Sequence, residues 1–412
     1  MALQYVTAGE SHGPQLTAIL TGLPAGLPLT EEDINRDLAR RQLGYGRGGR
    51  MDIESDRAQF RSGVRFGRTL ASPLTLVIEN RDWPNWQEAM SPRPGDESKA
   101  CAVTRPRPGH ADLAGVLKWH QRDARNVLER ASARETAARV AVGAVARRLL
   151  AEFGIEVFSH VIRIGEVKSD CANLSWAAIR EAAEASLLRV GNRACEEAIK
   201  QSIDLAAAKG DTVGGVFEVI ATGVPVGLGS CMESEARLDG QLAQAIMSIQ
   251  AIKGVEIGLG FDAAVRPGSR VQDAISFDPP HTARFEPKNT GGAAGAPYLE
   301  GHGPTGGFYR TTNNAGGLEG GMTNGEPIIV RAAMKPIATL RQPLGSVDFE
   351  SKQAYEAAHE RSDICAVPAA AAVGEAAVAF VLARAFLEKF GGDHLDEVRA
   401  AYQTYLNYLN TR

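Results

Sequence analysis

The chain has 412 residues, 44% hydrophobic and 23% charged, which is ordinary globular composition and neither disordered nor membrane-like. A formal charge of −4 supplies no global field for nucleic acid, so anion binding has to come from local clusters. Five widely spaced cysteines (Cys101, Cys171, Cys195, Cys231, Cys365) without a CxxC pair argue against a zinc or disulfide framework and fit a reducing, cytoplasmic setting.

The start, "MALQYVTAGES", lacks the basic and apolar regions of a secretion signal. "GESHG" (9–13) then sets Glu10, Ser11 and His12 between two glycines. It reads either as a turn capping its own backbone or as a reactive His held close to a ligand. "AILTGLPAGLPLT" (18–30) is an apolar strand and turn, followed by the helical pattern "EEDINRDLARR". Residues 36–68 hold nine arginines, including Arg40, Arg41, Arg47 and Arg50, around the turn-rich "QLGYGRGGR". Guanidinium forks suit carboxylates and phosphates, so this is a lid over an anionic ligand or a solvated basic loop. "GYGRGG" matches GxGxxG, but a helical pattern precedes it and no apolar helix follows, so a dinucleotide fold is rejected.

"ASPLTLVIEN" (71–80) is β-rich, and "TRPRPGHAD" (104–112) presents His110 after a Pro-stiffened turn with Asp112 two residues on. A carboxylate there can fix the imidazole tautomer. Neither His12 nor His110 has a second His or Cys at ligand spacing, so no metal site is expected. In "ERASARETAARVAVGAVARRLL" (129–150), Ser132 and Glu135 form an S-x-x-E capping box, predicting a helix from Ser132 to about Gly154. Its first turn would offer N–H groups to phosphate beside Arg130 and Arg134. Asn126 and Glu129 provide a rival cap. Residues 160–210 read as a spacer with helical patterns at "SWAAIREAAEASLL" and "CEEAIKQSIDLAAAKG".

"EVIATGVPVGLGS" (218–230) echoes residues 18–30 and again precedes a helical pattern, "RLDGQLAQAIMSI". Later, "GEPIIVRAAM" (325–334) matches 71–80 in style, and Ala-rich helices near 133–153 and 368–390 close each half. The echo implies an internal pseudo-repeat of two related units in one α/β body; chance recurrence of strand-turn-helix grammar is the alternative. Residues 291–325 carry twelve glycines, fit to wrap a flat ligand. "HERSDICAVP" (359–368) puts Arg361 and Asp363 before the last Ala-rich helix, where a surface ion pair is the plainer reading. That helix is broken by Pro368, Glu375 and Arg384, which argues against a membrane span.

Taken together, "GESHG", "RRQLGYGRGGRM", "RPGHAD", "RASARETAARVAVG", "IQAIKGVEIG", "NNAGGLEGGMTNGEPI", "MKPI" and "RSDICAVPAA" resemble the chorismate synthase family, in the family's order. The variants "GYGRGGRM" and "ERSDICAVPAA" resemble its actinobacterial branch more than its enterobacterial one. The resemblance implies a single domain over 1–412, with pseudo-halves at about 1–155 and 211–390. The implied fold is an α/β sandwich with a helical layer between antiparallel sheets. The implied protein is a cytoplasmic homotetrameric lyase of the shikimate pathway. It would convert 5-enolpyruvylshikimate 3-phosphate to chorismate and phosphate by 1,4-anti elimination, with reduced FMN as cofactor and NADPH entering through an external flavin reductase.

By the same resemblance, His12 protonates the departing phosphate, His110 lies near flavin N1 and O2, and Asp363 lies near N5. Arg41, Arg47, Arg107, Arg134 and Arg361 would hold substrate anions, with Arg41, Arg47 and Arg361 also serving the flavin. Arg130, Ala131, Ser132, Gln250, Ala251, Gly320, Lys335, Pro336, Ile337, Ala338 and Thr339 would meet the flavin. Residues 262–310 are longer than the family pattern and read as an inserted surface loop. A non-catalytic phosphate-binding module and a flavin oxidoreductase with net hydride transfer stay as rival readings.

Overall fold

Alternation is clear in Gln15–Thr21, where Leu16, Ala18 and Leu20 are buried and the residues between them are more open, so one face of this strand must meet a core. In the computed structural model, which describes residues 2–48, 55–96, 101–278, 301–357 and 363–412, that core is a layer of helices between two antiparallel sheets. The first sheet runs Gln4–Ala8, Gln15–Thr21, Leu74–Glu79, Ala58–Ser62. The second runs Ile252–Ile257, Ile328–Met334, Gly215–Thr222, Glu156–Ile164, Val167–Lys168.

Helix α1 spans Glu31–Gln42 and is fixed at its start by a capping box between Thr30 and Asp33. Its last turn carries Arg40 and Arg41, favourable beside the negative end of the helix dipole. Two short helices follow, α2 (Asp112–Lys118) and α3 (Arg125–Ala131). Then comes α4 (Thr136–Ala151), which touches strands of both sheets. Helices α5 (Trp176–Glu184), α6 (Glu196–Ala208) and α7 (Leu238–Met247) precede α8 (Val367–Phe390) and α9 (Leu395–Leu409).

The α4 and α8 backbones lie close because their contact residues are small. A Cβ on Gly143 would fall 2.2 Å from Ala376 Cβ, and one on Gly374 would fall 2.6 Å from the Phe217 ring. Helix α8 is long and apolar enough to cross a membrane, yet most of it is buried inside the protein. At its centre the fully enclosed Glu375 accepts from Arg40, Arg189 and Ser159. Arg40 also binds Glu184, and Arg147 binds Asp37, so α1 is bolted to α4, α5 and α8 by charge.

The two echoing segments make the same bonds. Thr69 Oγ1 donates to Pro24 O at 2.6 Å and accepts from Leu27 N at 3.0 Å. Thr323 Oγ1 donates to Pro225 O at 2.6 Å and accepts from Leu228 N at 2.8 Å. The backbone bonds Gly26 N to Thr69 O and Gly227 N to Thr323 O also correspond. Each strand that enters the echo pairs with the β-rich segment of its own half, Gln15–Thr21 with Leu74–Glu79 and Gly215–Thr222 with Ile328–Met334.

Two expectations need correction. Residues 160–210 do not begin as a spacer, since Glu156–Ile164 is an inner strand of the second sheet; its mixture of His, Ser and Arg hides that burial. The Ser132 capping box does not form. Ser132 caps only a short 3₁₀ turn, Ala133–Glu135, and α4 starts at Thr136. The Glu135 carboxylate binds Thr7, Arg139 and Gln250 instead of reaching back. The rival Asn126–Glu129 cap does not form either: a separate short helix, α3, starts at Arg125 without a side-chain cap and ends at Ala131, so Arg130 closes one helix and Arg134 sits in the next turn.

Candidate active site

"GESHG" links the first two strands of the first sheet. Gly9 has φ +107, and a Cβ there would lie 2.4 Å from Gln15 O, so only glycine fits the turn. The turn drives His12 inward, where it is 9% exposed. Its Nδ1 lies 2.8 Å from Glu129 Oε1, and its backbone N–H donates to Glu129 Oε2 at 2.8 Å. Trp86 stacks on the imidazole with centroids 3.8 Å apart.

Arg130 ties α3 to the opposite side of the same hairpin, donating to Thr7 O and Gly9 O. Thr7 Oγ1 donates to Glu135, which also accepts from Gln250 Nε2 at 3.3 Å. Burial works against the Glu135 charge, but Arg139 and these hydrogen bonds hold its carboxyl below the usual range. Gln250 precedes Ala251, a non-glycine residue at φ +66 whose carbonyl accepts from Lys335 N at 2.9 Å. Lys335 Nζ then donates to Gly109 O at 3.0 Å.

His110 follows. Its Nδ1 lies 2.5 Å from Asp112 Oδ1, and Arg107 donates to the other oxygen through Nε at 2.9 Å. Burial opposes ionisation of Asp112, but His110 and Arg107 overcome it and hold this carboxyl far below its ordinary value. Arg107 also reaches Thr339 Oγ1 at 3.4 Å, and Thr212 Oγ1 donates to Ile337 O, which pins the segment containing Pro336 and Ala338. Arg130, Gln250, Ala251, Lys335–Thr339, Arg107 and His110 are thus joined by continuous contacts, and Ala131 and Ser132 lie directly after Arg130.

Arg41 and Arg134, both buried, converge on Asp56. Arg41 further donates to Thr136 Oγ1 and Ala133 O, so α1 meets α4 at this point. Arg47 Nε lies 3.2 Å from Asp363 Oδ2, and Gly48 N–H donates to Asp363 Oδ1. Arg361 and Arg50 lie outside the described residues, as do residues 279–300 of the expected insertion, whose flanks Ile275–Phe277 and Phe308–Arg310 pair as strands. Gly320 sits in a hairpin turn at φ +60, where the nearest atom to an added Cβ would be Cys231 Cβ at 3.9 Å. Among the described residues, no contact brings it to the His12 or His110 clusters. The glycines around it, Gly316, Gly317 and Gly321, pack against the protein itself rather than lining a flat surface.

Sequence reasoning missed Glu129 and Asp56. Their partners are distant in the chain: 117 positions separate Glu129 from His12 and 78 separate Asp56 from Arg134. The one local signal is the Arg125–Glu129 spacing of four.

Whether a flavin suits these residues is tested by their donor set. Gln250 Oε1 is buried and has no hydrogen-bond partner among the described residues. An orphaned acceptor is costly unless a ligand N–H meets it, as the imide edge of an isoalloxazine would. Lys335 keeps two further N–H donors for an anionic group. The residues fit such a cofactor.

A family model described as chorismate synthase matches residues 3–387. The chorismate synthase of Geobacter sulfurreducens is 58% identical over 407 residues, covering 99% of each chain. That of Aquifex aeolicus is 53% identical over 420 residues, covering 99% of this chain and 98% of its own. A crystal structure of chorismate synthase superposes with a TM-score of 0.77 at 44% identity, covering 100% of this chain and 99% of the other.

Proposed function

Because the chain belongs to the chorismate synthase family, we propose that the clusters around His12, His110 and Asp363 carry out that family's reaction. The enzyme is a lyase that eliminates phosphate from 5-enolpyruvylshikimate 3-phosphate to give chorismate, in the shikimate pathway. The observation that carries the site assignment is the contact chain from the His12 hairpin through Glu135, Gln250 and Lys335 to His110.

His12 donates a proton to the phosphate oxygen as the carbon–oxygen bond breaks, a task suited to an imidazole held beside a carboxylate. Asp363 assists the loss of the proton from C6 of the substrate. Arg41, Arg47, Arg107, Arg134 and Arg361 offset the substrate's two carboxylates and its phosphate. Gln250, Ala251, Gly320, Lys335–Thr339 and the Arg130–Ser132 segment would hold reduced FMN, and Asp112, holding the His110 Nδ1–H, would leave Nε2 for the cofactor. When bound, reduced FMN would supply electron density to the reacting system with no net redox change.

The flavin is reduced outside this protein, by a flavin reductase drawing on NADPH. The assembly is a cytoplasmic homotetramer. The chain is one domain of two related halves, about 1–155 and 211–390, with 262–310 as a loop insertion; the matched Thr69 and Thr323 bonds support this. The test is anaerobic phosphate release with reduced FMN. His12→Ala should lose roughly a hundredfold in turnover while binding FMN nearly as well. Release at the wild-type rate would remove His12 from the mechanism.

A further inference from the structure

Glu129 is 2% exposed, and among the described residues the polar contacts of its carboxylate lead to His12 and Arg125. Its Oε1 and Oε2 lie 2.8 and 3.0 Å from His12 Nδ1. Oε2 also accepts from the His12 backbone N–H, and Arg125 donates to Oε1 at 3.2 Å. Burial alone would favour the neutral acid, but His12 and Arg125 hold the Glu129 carboxyl below the usual carboxylate range. An ionised carboxylate only accepts, so the hydrogen in this bond belongs to His12 Nδ1.

The ring is also fixed in its plane. Trp86 stacks on it with an interplanar angle of 27°, and Trp86 Nε1–H is held by Asp82 at 2.8 Å. Arg125 lies over the same indole, 5.2 Å from a ring centroid, so one guanidinium braces both the carboxylate and the stack. With Nδ1 committed to Glu129, the imidazole has a single nitrogen left for chemistry.

We propose that Glu129 is a positioning residue for His12, holding the Nδ1–H form so that the proton delivered to the leaving phosphate comes from Nε2. This rests on the reading of His12 as the acid. The doubly protonated ring gives its Nε2 proton to the phosphate oxygen as that oxygen takes the electrons of the broken bond. The ring left behind is neutral, its Nδ1–H still hydrogen-bonded to the Glu129 carboxylate, and a solvent proton restores Nε2. Nothing in the cycle moves the Glu129 carboxylate or the Nδ1 proton.

Two measurements test the proposal. Magic-angle-spinning ¹⁵N NMR of histidine-labelled wild-type protein, with the His12 signal identified by its loss in His12→Ala, should show a protonated Nδ1. An unprotonated Nδ1 overturns the proposal, whatever the activity. In steady-state kinetics Glu129→Gln should lower kcat roughly 10- to 100-fold with KM for the phosphorylated substrate within about twofold, as when a carboxylate partner of a working histidine is neutralised. Glu129→Asp, which keeps the charge, should recover much of that loss. Wild-type kcat in Glu129→Gln overturns the proposal, as does a loss that Asp and Gln share equally, because a merely structural role would not distinguish charge. Full activity in His12→Ala would instead defeat the acid assignment, while the tautomer result would still stand.

Discussion

Asp363 binds the arginine loop at two points: Oδ2 lies 3.2 Å from Arg47 Nε, and Oδ1 accepts from the Gly48 N–H at 2.7 Å. The next residue continues the clasp, with Ile364 N donating to Gly46 O at 2.8 Å. The loop that follows α1 is therefore moored to the start of α8, and a charge change at either residue is felt at both.

Arg47→Lys keeps the positive charge and loses the fork. It should raise KM for the phosphorylated substrate about tenfold or more, because a point charge cannot grip a carboxylate or phosphate through two parallel bonds. Steady-state kinetics across a range of substrate concentrations checks this. Unchanged kinetics would reduce the loop to solvated surface.

Glu375 is the carboxylate on which α1 and the Arg189 turn are assembled. Burial pushes it toward neutrality, yet Arg40, Arg189 and Arg147 bring its carboxyl down to about 2. Glu375→Gln leaves those guanidiniums enclosed without their anion and should cost about 3–5 kcal/mol in urea unfolding. Since the folded value lies below that of an unfolded glutamate, the contribution is complete above about pH 4.5 and is lost as pH falls toward 2. A loss under about 1 kcal/mol at neutral pH would contradict this account.

His160, Glu218, Arg331 and Glu256 stand directly opposite one another on four adjacent strands of the second sheet, with alternating charge. Burial alone would push His160 down, but hydrogen bonds with Cys171 and Glu218 lift it to about 9. The raised value places its full contribution below about pH 6.5 and removes it as pH rises through 9. Wild-type stability should therefore fall between pH 6.5 and 9.5 by about 1–3 kcal/mol more than that of His160→Gln. Parallel pH profiles for the two proteins would contradict the charged histidine.

The sandwich followed from the family resemblance, whereas single elements were legible because their signals are local. The apolar strand opening residues 18–30, the helical pattern after it and the Ala-rich runs of α4 and α8 each specify an element within a few residues. The α3–α4 junction was not. Ser132 and Glu135 have capping-box spacing, but the box lost to Thr7, Arg139 and Gln250, two of which come from elsewhere in the chain. The motifs brought His12, His110 and Asp363 into view. The carboxylates that hold the motif residues were hidden except for Asp112, which is two positions from His110, whereas Glu129 and Asp56 act across the fold.

The central claim is that the protein is a lyase whose reduced flavin is needed but not consumed. Chorismate and phosphate together lie at the same oxidation level as the substrate, so one charge of reduced FMN should serve many turnovers. The direct measurement is moles of phosphate released per mole of reductant supplied, with oxygen excluded and 5-enolpyruvylshikimate 3-phosphate in excess. The account predicts a ratio far above one, together with negligible NADPH oxidation by the pure protein. A ratio fixed near one would mean net hydride transfer and would contradict it.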